Sequence, residues 1–308
     1  MSLPALLQTR LSLPAIAAPM FLISGPDLVV EACRAGVVGT FPSLNQRSTE
    51  GYADWLAEIQ ERLAEVPQAA PFGVNLIVHR TNERLEADLK VTVDNKVPLV
   101  ITSLGAVSEV VDAIHSYGGL VFHDVISRRH AEKAAEAGVD GLIAVCAGAG
   151  GHAGTLSPFA FLPEIRSFFD KTLVLSGAIS DGRQIAAARL LGADLAYLGT
   201  RFIATKESLA SEEHRQMILE AGTKDLIYTP AISGVPGTFL RASLERAGLD
   251  PDNLPAAPDL SLDHEARVWK DIWSAGQGAA NIYDIPSVAE LCARLKREYE
   301  KATKFFQS

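Results

Sequence analysis

Eight short apolar runs, each followed by a helical pattern, set the limits on how this chain can fold. They are Pro14–Met20, Val37–Phe41, Phe72–Leu76, Pro98–Ser103, Gly119–Asp124, Gly141–Val145, Thr172–Ser176 and Ala193–Leu198. A first helix opens at Ser24-Gly25-Pro26-Asp27 and stops at Gly36; further helical patterns cover 49–66, 82–96, 106–117, 127–137, 159–169 and 182–191. Runs such as Gly141–Val145 are apolar on both faces and need cover on both, which strand–helix alternation with short loops supplies. Eight such units predict an α/β fold, a (β/α)8 TIM barrel. The competing arrangement is a doubly wound open sheet, which has fewer strands, and no Gly-x-Gly-x-x-Gly follows the first run.

Composition narrows the function. The chain has 308 residues, 48% hydrophobic and 21% charged, enough for one large core with or without a smaller domain. Its 28 basic and 37 acidic residues give a formal charge of −9, and no Lys/Arg cluster interrupts that balance, so no nucleic-acid partner is expected. Cys33, Cys146 and Cys292 are odd in number and widely spaced, which supports neither a disulfide framework nor a zinc site. No run approaches the ~20 apolar residues of a membrane span, and the first residues lack a signal-peptide pattern. The expectation is a cytoplasmic protein with no membrane partner, and a homodimer is possible on these grounds.

A barrel carries its site at the C-terminal ends of its strands. Met20, Asn75, Thr102, Asp124, the 147–154 loop, the 176–178 turn and Gly199-Thr200 should therefore converge on one mouth. The loop Cys146–Thr155 holds four glycines and one imidazole. Glycine lets backbone N–H groups approach a phosphate or a flat ring, and His152 is the loop's one side chain able to move a proton near neutral pH. The plainer reading is a mobile turn with an exposed histidine. Ser176-Gly177-Ala178 and Gly199-Thr200 lie where barrels cradle phosphate, although such residues are also common in tight strand-to-helix turns.

Four motifs in order carry a family resemblance: Ala18-Pro19-Met20, Ala149-Gly150-Gly151-His152-Ala153-Gly154, Ser176-Gly177-Ala178-Ile179-Ser180-Asp181-Gly182-Arg183 and Leu198-Gly199-Thr200-Arg201-Phe202. Together they resemble the nitronate monooxygenases, formerly 2-nitropropane dioxygenases, over roughly residues 10–205. The resemblance implies an FMN cofactor held by Ala18, Pro19, Met20, Asn75, Ala149, Gly150, Gly151, Ser176, Gly177, Ala178, Gly199 and Thr200, with its phosphate at the last two turns. It makes His152 the catalytic base that takes a proton from a nitroalkane. The nitronate is then oxidised with O2 to a carbonyl compound and nitrite. Two alternatives stay open, an NAD(P)H-dependent reductase of quinones or enoyl thioesters and a non-catalytic flavin-binding protein.

The remaining residues are less decisive. His123 and Asp124 could partner the flavin or substrate, with His123 equally able to face the helix layer; a basic residue would suit a flavin better than Asp124. No His/Cys/Asp/Glu spacing suggests a metal. After Phe202 the pattern changes: helices over 208–222, 238–248 and 264–275, an extended run at 226–232, and a last helix at 286–302. Residues 208–285 are expected to form a small, mainly helical cap that brings Ser233-Gly234 and Gly276-Gln277-Gly278 near the flavin, on a barrel made of 1–207 and 286–308.

Overall fold

The computed structural model describes residues 3–105, 108–261 and 268–305. In chain order its first half comprises α1 (Ala5–Gln8), β1 (Ala15–Ala17), α2 (Pro26–Arg34), β2 (Val38–Pro42), α3 (Thr49–Ala64), β3 (Gly73–Ile77), α4 (Leu85–Asp94), β4 (Leu99–Ser103), α5 (Ser108–His115), β5 (Leu120–Val125) and α6 (Arg128–Glu136). The barrel continues with β6 (Gly141–Val145), the two-residue β7 (Gly151–His152), α7 (Pro158–Arg166), β8 (Thr172–Ser176), α8 (Gly182–Leu190), β9 (Leu195–Leu198) and α9 (Thr200–Ile203). Then come α10 (Glu212–Glu220), β10 (Leu226–Thr229), β11 (Gly237–Leu240), α11 (Arg241–Arg246) and α12 (Val288–Phe305).

Eight strands close a parallel barrel in the order β1-β2-β3-β4-β5-β6-β8-β9, with β9 returning to β1 through the pairing of Ile16 with Tyr197. The alternation of side chains along each strand divides the core into two layers. Ile16, Val38, Leu99, Ile101, Phe122, Ile143, Val174 and Leu195 fill the barrel, and Leu7 of α1 joins them. Val74, Leu76, Val100, Val121, Leu142 and Leu173 face outward onto helix residues such as Leu28, Leu56 and Ile185. The helices start where the sequence caps them: Ser48 accepts from the Gly51 N–H, Ser127 from His130, and Asp181 forms a capping box with Gln184.

In the 208–285 segment, 238–240, expected as the start of a helix, belongs to strand β11 (Gly237–Leu240), and helix begins only at Arg241. The reason is pairing: β11 lies antiparallel to β10 on one side and to β7 on the other, matching Thr238 to Gly151 and Gly237 to His152. Of the helix expected at 264–275, residues 264–267 lie outside the described residues; 268–271 are helical, and Ser274 bridges to Phe239. A core of Ile203, Ala204, Ile218, Leu240, Ala275 and Ile282 seats this segment beside Met20 and Ile23.

The last helix secures the barrel against α8. Gly182 N–H donates to the Glu298 carboxylate at 2.8 Å, and a Cβ at Gly182 would meet the Leu295 carbonyl oxygen and the Tyr299 amide well inside van der Waals contact. Gly182→Ala must therefore push α12 away from α8. The expected loss is about 1–3 kcal/mol, read as a lower urea midpoint with an unchanged slope; an unaltered midpoint would show that this contact is loose.

Candidate active site

The strand ends build the mouth by parity. On β3, β4 and β5 the outward positions are Val74, Val100 and Val121, so Asn75, Ser103 and Asp124 point inward. They form one hydrogen-bonded chain. Asn75 Nδ2 donates to Ser103 Oγ at 2.7 Å, and Ser103 Oγ donates to Asp124 Oδ2 at 2.6 Å. Asp124 Oδ1 is buried without a hydrogen-bond partner. Burial pushes this carboxyl up to about 6, against the Ser103 hydroxyl and the nearby His152, which both pull it down. Burial likewise raises the Tyr197 phenol, and the Asp124 charge adds to the effect.

Thr102 sits one residue off this parity and faces the helix layer. Its Oγ1 lies 2.7 Å from His123 Nδ1, and both residues are buried. Burial, reinforced by His130 and Lys133, pulls the His123 imidazole down to about 4, so it is neutral at pH 7. Thr102 thus lies behind the mouth and, unlike His152, Asp124 and the residues that the resemblance assigns to the flavin, does not line the cavity described next; nor do Ser233, Gly234 and Gln277.

That cavity is about 1240 Å³ and spans the barrel mouth and the segment over it. One carbonyl organises its wall. Gly148 O accepts from Ala178 N at 3.2 Å and from Gln277 N at 2.8 Å, while Gly276 N donates to Thr200 Oγ1 at 2.8 Å. The loops after β6, β8 and β9 are thereby tied together through the 276–277 turn. Close approach requires glycine here: a Cβ on Gly150 would strike the Gly276 amide, and one on Gly276 would strike Gly148 O. Three non-glycine residues with left-handed backbone, Leu22, Leu104 and Ala178, also line the cavity. Such strain collects at ligand sites. Asn45 holds the first of them, accepting from Leu22 N and donating to the carbonyls of Met20 and Ser24.

His152 is held from above, on β7, by its pairing with β11. Ser233 Oγ lies 3.4 Å from His152 Nε2, and its own proton goes to Val235 O at 3.1 Å, so the serine oxygen faces the ring as an acceptor. Trp269 packs edge-on against the ring with centroids 5.9 Å apart. Ser233 accordingly lies beside the histidine, and Gly276 and Gly278 line the cavity as expected of their turn.

Sequence reasoning missed Ser103, Asn45, Tyr197, Trp269 and His214. His214, on α10, stacks on Trp273 at 4.7 Å, its Nε2 is buried without a partner, and burial lowers its pKa to about 4. Parity could have found Ser103 and Tyr197; nothing local marks the others. Among the described residues no group of His, Cys, Asp and Glu could hold a metal. None of the described helices is long and apolar enough to cross a membrane.

A closed barrel whose mouth opens into a cavity lined by glycine-rich loops and one imidazole is the architecture of a barrel enzyme. The nitronate monooxygenase family model matches residues 5–298, and the chain belongs to that family of flavin-dependent oxidoreductases. A nitronate monooxygenase of Paraburkholderia phytofirmans is 29% identical over 94% of this chain and 93% of its own. A (3aS,4S,5R,7aS)-5-hydroxy-7a-methyl-1-oxo-octahydro-1H-indene-4-carboxyl-CoA dehydrogenase of Rhodococcus jostii is 28% identical over 76% of this chain, a match spanning 65% of that enzyme's length. In fold the chain is similar to a nitroalkane oxidase from Streptomyces ansochromogenes (TM-score 0.85, 24% identity, covering 98% of this chain and all of that one). It is also similar to FabK from Thermotoga maritima (TM-score 0.81, 24% identity, 98% and 96%).

Thr200→Val keeps the shape of the side chain and removes the acceptor for the Gly276 N–H. The orphaned donor should cost about 1–3 kcal/mol. Faster amide hydrogen exchange at 276–278, with the barrel strands unchanged, is the expected result.

Proposed function

We propose that the chain is a cytoplasmic, FMN-dependent nitronate monooxygenase that converts alkyl nitronates and O2 to a carbonyl compound and nitrite. The observation that carries this reading is the placement of His152, fixed by strand pairing, in a cavity that the glycines and alanines of the 148–153, 177–178 and 275–278 turns also line. Flavin fits those walls. Ala18, Pro19, Met20 and Asn75 would lie along the ring, Ala149, Gly150 and Gly151 would give it backbone contact, and Ser176, Gly177, Ala178, Gly199 and Thr200 would surround the phosphate. The orphaned Asp124 Oδ1 and His214 Nε2 are polar atoms of the kind that a bound molecule satisfies. The three free cysteines are all buried, which suits a reducing compartment.

The bound flavin would supply the electron chemistry. His152 would take the proton from the carbon beside a nitro group, a task for a base whose pKa lies near the working pH and which carries no permanent charge. Ser233 and Trp269 hold the ring while it does so. A preformed nitronate has already lost that proton. His152→Asn should therefore lower turnover of a neutral nitroalkane by about 10²–10⁴ and that of the nitronate far less. Equal losses on both substrates would remove the base assignment.

A second reading, NAD(P)H-dependent reduction of a quinone or enoyl thioester, is favoured by one observation. Arg47, Lys133 and Lys270 line the cavity and form no ion pair among the described residues, a cationic rim suited to a phosphate-bearing partner. Anaerobic mixing decides between the two. Bleaching of the flavin by propionate 3-nitronate, with no response to NADH or NADPH, is the expected outcome; rapid bleaching by either nicotinamide moves the enzyme to the reductase branch.

A further inference from the structure

Among the described residues, Asp124 is the carboxylate that the barrel turns into its own mouth; the other acidic residue of the cavity, Glu83, is exposed on the loop after β3. Two strands orient it, through Asn75 and Ser103, and Asp124 has no Arg or Lys partner among the described residues. The groups that face it are the Ser103 hydroxyl from β4, His152 from β7 and the Tyr197 phenol from β9. Its strand neighbour His123 is turned toward Thr102, with His130 and Lys133 of α6 beyond. An oriented carboxylate with one oxygen held by Ser103, the other buried without a partner and no cation bonded to it has no ion pair to serve.

We propose that Asp124 is the proton-uptake site of the cavity: it stands as a carboxylate beside oxidised flavin and takes a proton when the flavin is reduced. The proposal rests on the flavin reading above. Reduction adds two electrons and one proton to the flavin and leaves a negative charge on it. A second negative charge in the same low-dielectric space is disfavoured, and like charges a few ångströms apart raise a carboxyl pKa by about a unit or more. Burial already holds Asp124 at about 6. Reduction therefore carries it above neutrality, and the carboxylate binds one proton from solvent. In all, two electrons and two protons enter the cavity, the electrons coming from the nitronate or, in the test, from dithionite.

The test is the midpoint potential of the FMN-loaded enzyme as a function of pH, by dithionite titration against a reference dye. Between about pH 6 and the raised pKa of Asp124 the wild-type potential should fall with the slope of two protons per two electrons, easing to the one-proton slope above that pKa. Asp124→Asn should show the one-proton slope, with a higher potential at the alkaline end and convergence on the wild type near pH 6. His152→Asn should keep the two-proton slope. A one-proton slope in the wild type, which needs no variant to be read, overturns the proposal. So does an Asp124→Asn slope equal to the wild type, or a two-proton slope lost in His152→Asn alone. A protein that binds no FMN sinks the cofactor reading itself, whereas bound FMN with a one-proton slope sinks only the role of Asp124.

Discussion

The carbonyl oxygen of Gly148 is the point on which the site depends. It accepts one hydrogen bond from the turn after β8 and another from Gln277, more than a hundred residues further along the chain. A carbonyl has two lone pairs, and this one spends both on joining segments that strand pairing does not connect. The left-handed backbone of Gly148 turns the oxygen toward them, and the absence of side chains at Gly150 and Gly276 lets the backbones touch. This part of the cavity wall is thus main chain, and its shape needs the 276–277 turn in place.

Charge is arranged around that wall with the same economy. The protein is acidic overall, yet the inner mouth holds Asp124, neutral amides and hydroxyls, and the cations stay at the rim. A low-dielectric interior magnifies whatever charge enters it. His152 lies outside the barrel strands, close enough to influence Asp124 while its ring is oriented from above.

Most of the barrel was legible because its information is local. Apolar runs, caps such as Asp181 with Gln184, and stops such as Gly36 and Gly192 each report on their own few residues. The glycines of the 147–154 loop and His152 were legible for the same reason. Thr102 shows where this ends. A polar residue near the end of a strand marks the end but not the face, and a shift of one residue exchanges the helix layer for the mouth; Ser103 was the inward residue. Gly237–Leu240 shows a second limit. Its strand state comes from pairing with Gly151 and His152, a contact no window of sequence contains.

These limits fall where substrate choice is made. The cavity wall facing the glycine loops comes from Val235, Pro236, Trp269, Trp273 and Ser274. The backbone pairing of β11 with β7 continues into a hydrogen bond from Ala153 N to Pro236 O, which fixes the distance between this wall and His152. Stacked rings hold the rest: Arg246 lies 3.5 Å over the face of Trp273, and His214 stacks on the same indole. The motifs lie in the barrel, where they are local and readable. The wall opposite them rests on long-range contacts of the segment above it, so motif resemblance identifies the first far more directly than the second.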